Sequence, residues 1–108
     1  MRIAFFSMDP VNYGFNSKSA ELYIAEEMAK SGNQVFIFTN QKQYEHQYSN
    51  KENIHLVLLP VQDPSFSEKY LDKLDEYKSD VIFGTSISAS DIVYYFSKRW
   101  NAKSSIFV

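Results

Sequence analysis

The chain's folding options are limited most by its short apolar runs. Arg2-Ile3-Ala4-Phe5-Phe6-Ser7 opens the sequence without the apolar–polar alternation of a strand that has one face in water. Such a run reads as a strand buried on both faces, the usual situation of parallel strands lying under helices. Val35-Phe36-Ile37-Phe38-Thr39, Ile54 to Leu59, Val81-Ile82-Phe83 and Ser105-Ile106-Phe107-Val108 repeat the pattern.

Helical periodicity fills most of the intervals. Residues 17–31 read as a helix with Leu22, Ala25, Met28 and Ala29 inward and Ala20, Tyr23 and Ile24 widening the stripe. Gly32 is placed to end it in the left-handed conformation. Ser65-Phe66-Ser67-Glu68 fits a capping box, and the helix it opens carries Phe66, Tyr70, Leu74 and Tyr77 on one face with Leu71 beside them. Ser88-Ala89-Ser90-Asp91 is a second such match. It precedes a helix with Ala89, Ile92, Val93, Phe96 and Trp100 inward. Residues 41–53 are polar and aperiodic, so strand three either follows a short crossover or runs antiparallel to strand two.

Strands alternating with helices predict an α/β fold: a Rossmann-like, doubly wound, mostly parallel five-stranded sheet with helices on both faces. The 108 residues suit one domain. Ending on an apolar strand leaves a pairing edge, so the expectation is a longer protein or a partner along strand five.

Composition removes several classes of function. With 44% hydrophobic and 22% charged residues, the chain is neither disordered nor fibrous. A net charge of −2 without a basic run argues against general nucleic-acid binding. There is no cysteine, which excludes disulfide frameworks, thiolate zinc sites and a cysteine nucleophile. The apolar runs are strand-sized and no signal-peptide pattern is present, making the cytoplasm the default expectation. Most of the nine Phe and eight Tyr fall at core positions of the predicted elements.

Ligand sites in open parallel sheets lie at the carboxyl ends of the strands. After strand one, Gly14, Phe15 and Asn16 could present backbone N–H groups, and Ser17 and Ser19 hydroxyls, as a partial cradle for an anion. A plain turn accounts for the same residues equally well, and neither a dinucleotide fingerprint nor a Walker sequence is present. Gly84-Thr85-Ser86, after strand four, suits ligand contact and helix capping alike. Asp9 precedes Pro10 and reads as a turn residue, while His46 and His55 lack the companions of a metal site.

Several of these segments are similar to the opening of GT-B glycosyltransferases of the retaining, group 1 or glycogen-synthase-like type. Strand Arg2–Ser7, a loop with Pro10 and Gly14, and the helix Ala20-Glu21-Leu22-Tyr23-Ile24-Ala25-Glu26-Glu27-Met28-Ala29-Lys30-Ser31-Gly32-Asn33-Gln34-Val35 carry the first part of the resemblance. Ser79-Asp80-Val81-Ile82-Phe83-Gly84-Thr85-Ser86 resembles the family's fourth-strand segment, and Ala102–Val108 its fifth strand. Phe15 stands where the family has the second glycine of a pair. Many members place histidine after strand four, where this chain has Phe83 and Thr85; some branches carry a Thr-Ser or Ser-Ser pair there, which Thr85-Ser86 fits better.

The resemblance implies an acceptor-side N-terminal domain spanning residues 1–108. The complete enzyme would move a sugar from a nucleoside-diphosphate-sugar to a saccharide or lipid-linked acceptor, in polysaccharide or cell-wall biogenesis, without a metal or other cofactor. Gly14, Phe15, Asn16 and Ser17 would lie nearest the donor phosphates or sugar, and Thr85 and Ser86 would line the acceptor side. The nucleotide-sugar domain would come from a C-terminal domain or a partner chain along the strand-five edge, leaving these residues inactive alone. The location implied is the cytoplasm or the inner face of the membrane. Two alternatives fit the same pattern: a non-catalytic binding or assembly module of this fold, and a flavodoxin-like enzyme.

Overall fold

The computed structural model describes residues 1–7, 20–39, 52–59, 68–84 and 89–106. In chain order the elements are β1 (Arg2–Ser7), α1 (Ala20–Lys30), β2 (Gln34–Thr39), β3 (Ile54–Leu58), α2 (Glu68–Leu74), β4 (Val81–Gly84), α3 (Ser90–Arg99) and β5 (Lys103–Ile106). A 3₁₀ turn at Asp75–Tyr77 extends α2. No helix among the described residues is long and apolar enough to cross a membrane.

All five strands pair in parallel, in the order β3-β2-β1-β4-β5. This is the expected doubly wound, Rossmann-like α/β arrangement. It also decides the step from β2 to β3. Val35 to Thr39 face Ile54 to Leu58 in parallel register, so β3 begins at the same end of the sheet as β2. The antiparallel alternative is excluded.

Because successive strand residues point to opposite faces, the apolar runs feed two separate cores. Ile3, Phe5, Val35, Ile37 and Ile54 pack on one face with Ala25 and Ala29 of α1. Ala4, Phe6, Phe36, Phe38 and Ile82 pack on the other against Leu71 and Leu74 of α2 and Val93, Phe96 and Trp100 of α3. The helix between β1 and β2 thus lies on the opposite face from the helix between β4 and β5. The two steps run in opposite directions across the sheet, so crossovers of one hand require this.

The face shared with α2 and α3 is filled by stacked rings. Phe6 lies between Phe38 and Phe96, at centroid distances of 4.5 and 5.4 Å. Phe96 in turn meets Trp100 at 4.6 Å. Rings of this size each bury a large apolar area, and near-parallel offset packing adds to that burial. On the α1 face, Phe5 stacks on Phe83 at 5.1 Å.

Two helices end in the same way. Gly32 has φ +94°, its N–H bonds to the Ala29 carbonyl, and the Asn33 N–H reaches Met28. Asn101 has φ 51°, its N–H bonds to Lys98, and the Ala102 N–H reaches Ser97. Both are paired 5→2 and 6→1 closures around a left-handed residue, and both satisfy carbonyls the helix leaves open. The expected stop at Gly32 is observed. Asn101 achieves the same stop with one of the few residue types that tolerate the conformation.

Several boundaries and packing roles differ from the sequence reading. Tyr23 and Ile24 do not widen the buried stripe of α1: they are 55% and 40% exposed. Ala25 and Ala29 are small enough to bring the helix close to β1 and β2, which keeps the contact narrow. On α2, Leu71 is buried together with Leu74, so it belongs to the main packing face. The N-cap of α3 is Ala89, with no side-chain capping bond, one residue after the expected Ser88. β5 begins at Lys103, two residues before the expected Ser105, since ladder bonds to β4 are made by backbone whatever the side chain.

Candidate functional site

The residues singled out as ligand contacts, Gly14, Phe15, Asn16, Ser17, Thr85 and Ser86, lie outside the described residues, as do Ser19, Asp9 and His46. The structure does define the strand ends from which their segments depart. β1 and β4 are direct neighbours, with Ile3 opposite Val81 and Phe6 opposite Gly84. Both run in one direction, so the chain leaving Ser7 and the chain leaving Gly84 set out side by side from the carboxyl edge of the sheet.

That position is the topological switch point. From β1 the sheet continues through β2 to β3 on one side, and through β4 to β5 on the other. Open α/β sheets receive ligands in the crevice at such a point, and α1 and α3, the helices that follow β1 and β4, lie on opposite faces of this sheet. At the same edge, the end of β2 is paired with β1 through Thr39 opposite Ser7 and with β3 through Thr39 opposite Leu58. Thr39 at the end of β2 is fully buried, and its carbonyl accepts the Leu59 N–H at 2.8 Å.

Gly84 has a packing role at this edge. A β-carbon on it would lie 2.6 Å from Ile106 Cδ1, 3.0 Å from Val93 Cγ2 and 3.3 Å from the Ala89 β-carbon. The missing side chain lets β5 and the first turns of α3 close onto β4. It thereby brings the start of α3 over the end of β4, beside β1. The first-turn N–H groups of α3 have no cap from the Ala89 side chain. Asp91 in that turn already sets a negative charge against the positive end of the helix.

The charged groups that form a network are at the opposite edge. Asp75 accepts two bonds from Arg99, from Nε at 2.8 Å and from a terminal guanidinium nitrogen at 2.8 Å. The buried Trp100 indole N–H donates to the same carboxylate at 2.8 Å. Arg99 also bonds Asp72 at 2.9 Å and the Tyr95 hydroxyl at 3.2 Å. The hydrogen bonds from Arg99, reinforced by Trp100 and the local positive charge, hold the Asp75 carboxyl below its ordinary value against a smaller opposing effect of burial. The same partner pushes Arg99 further above its already high value.

Each member of this cluster is satisfied by another member, and the cluster ties the end of α3 to the turn after α2. It is a clamp within the scaffold. Sequence reading missed it because Asp75 and Arg99 are 24 residues apart. The signal it did leave was a basic–aromatic pair closing one helix and two aspartates three apart closing another.

Other polar contacts among the described residues also serve the scaffold. Arg2 N–H donates to the Asp80 carboxylate at 3.0 Å, its guanidinium donates to the Glu76 carbonyl at 2.7 Å, and it lies over the Phe36 ring at 4.9 Å. His55 is exposed, stacks on Phe36, and exchanges a hydrogen bond with Gln34 at 3.1 Å. Among the described residues, no group of three or more His, Asp or Glu side chains could hold a metal ion.

Two shallow grooves flank α1. One, about 350 Å³, is lined by Tyr23, Ile24, Glu27, Met28, Ser31 and Asn33. The other, about 470 Å³, is lined by Glu26, Ala29, Lys30, Glu52, Asn53 and Ile54. Neither includes a residue at the ends of β1 or β4.

Among known proteins, no family model matches the chain, and no curated protein matches it either.

Proposed function

We propose that this chain is the acceptor-side domain of a glycosyltransferase of the GT-B type. It would act with a nucleotide-binding domain to move a sugar from a nucleoside-diphosphate-sugar to a saccharide or lipid-linked acceptor. The observation that carries the reading is the pairing of β1 with β4, Phe6 opposite Gly84, at the reversal of strand order. That pairing starts the segments bearing Gly14–Ser17 and Thr85–Ser86 from adjacent strand ends. An anionic diphosphate suits such a crevice, because helix starts and free backbone N–H groups carry partial positive charge.

In this reading the domain supplies donors for the leaving diphosphate from Gly14, Phe15, Asn16 and Ser17, while Thr85 and Ser86 face the acceptor. Stabilising negative charge where it develops is the main catalytic contribution such groups can make. No metal or cofactor is required of these residues. The domain works in the cytoplasm or at the inner face of a membrane, and the edge of β5 receives the second domain or partner chain.

Backbone amide spectra recorded during titration with UDP and with GDP test the reading. Shifts clustered at residues 13–19 and 85–86 are expected. Spectra unchanged at millimolar nucleotide would overturn donor binding and favour a non-catalytic assembly module of the same fold. The 108 residues alone are expected to show neither sugar transfer nor donor hydrolysis.

A further inference from the structure

We draw no further inference here: the strongest candidate, the surface formed by half-buried Val81 and Phe83 on the α1 side of the sheet together with the exposed apolar flank of α1 at Tyr23 and Ile24, carries none because nothing in the structure shows what covers it.

Discussion

Gly84 and Ile106 are paired across β4 and β5, and they approach so closely that a β-carbon on the glycine would stand 2.6 Å from Ile106 Cδ1. The terminal methyl of Ile106 can rotate away, but Val93 Cγ2 at 3.0 Å and the Ala89 β-carbon at 3.3 Å belong to a packed helix. Gly84→Ala is therefore expected to destabilise the fold by about 1–2 kcal/mol, the ordinary cost of overpacking. Urea unfolding of Gly84→Ala, Ile106→Val and the double variant measures this. The double variant should recover part of the loss, and a neutral Gly84→Ala would show that the notch is not tight.

The clamp at the other edge separates a buried contribution from an exposed one. Asp75→Ala removes the acceptor of the buried Trp100 N–H, and an orphaned buried donor costs about 1–3 kcal/mol. Asp72 is 70% exposed and its partner among the described residues is Arg99, so Asp72→Ala should lie within about 0.5 kcal/mol of the parent. Thermal melts of the two variants decide between them. Equal losses would mean that the charge pair, and not the indole bond, carries the effect.

Acid should weaken the clamp in a defined direction. Asp75 has its carboxyl pKa depressed in the folded state, chiefly by Arg99. Its contribution is therefore fully present above the unfolded value of 3.8, and it is lost as pH falls through the lower folded value. The stability difference between the parent and Asp75→Asn should hold steady from neutral pH to about pH 5, then shrink as acid is added. A difference that stays constant to pH 2.5 would contradict the assignment.

The end of α1 offers a test of backbone conformation alone. Gly32 sits at φ +94° with nothing within 4 Å of where a β-carbon would lie. Gly32→Ala should cost about 1 kcal/mol through the left-handed conformation, and Gly32→Asn less, since asparagine tolerates that region. Chemical denaturation of both variants should rank them in that order. Equal stability of all three would remove the role given to this closure.

Much of the fold was legible from local chemistry. The unalternated run Ile3–Phe6 announced a strand buried on both faces, and its residues divide between the two cores as a period of two requires. Val93, Phe96 and Trp100 announced the inner face of α3 by their spacing, and all three are buried. The stop at Gly32 followed from the one residue type that takes φ +94° without strain. In each case the deciding interaction lies within one or two turns of chain, so residue order carries the information.

What the sequence could not contain was which elements lie side by side. Parallel β2 and β3, the outward turn of Tyr23 and Ile24, and the bonds of Asp75 to Arg99 and Trp100 all depend on neighbours brought in by the whole sheet. The candidate site divides in the same way. Its residue types were readable from the chain, while the placement of β1 beside β4 came from the strand order alone. Local sequence determined the strands, the helices and their stops. Tertiary packing decided their neighbours, because burial and long-range hydrogen bonds are satisfied only when distant segments meet.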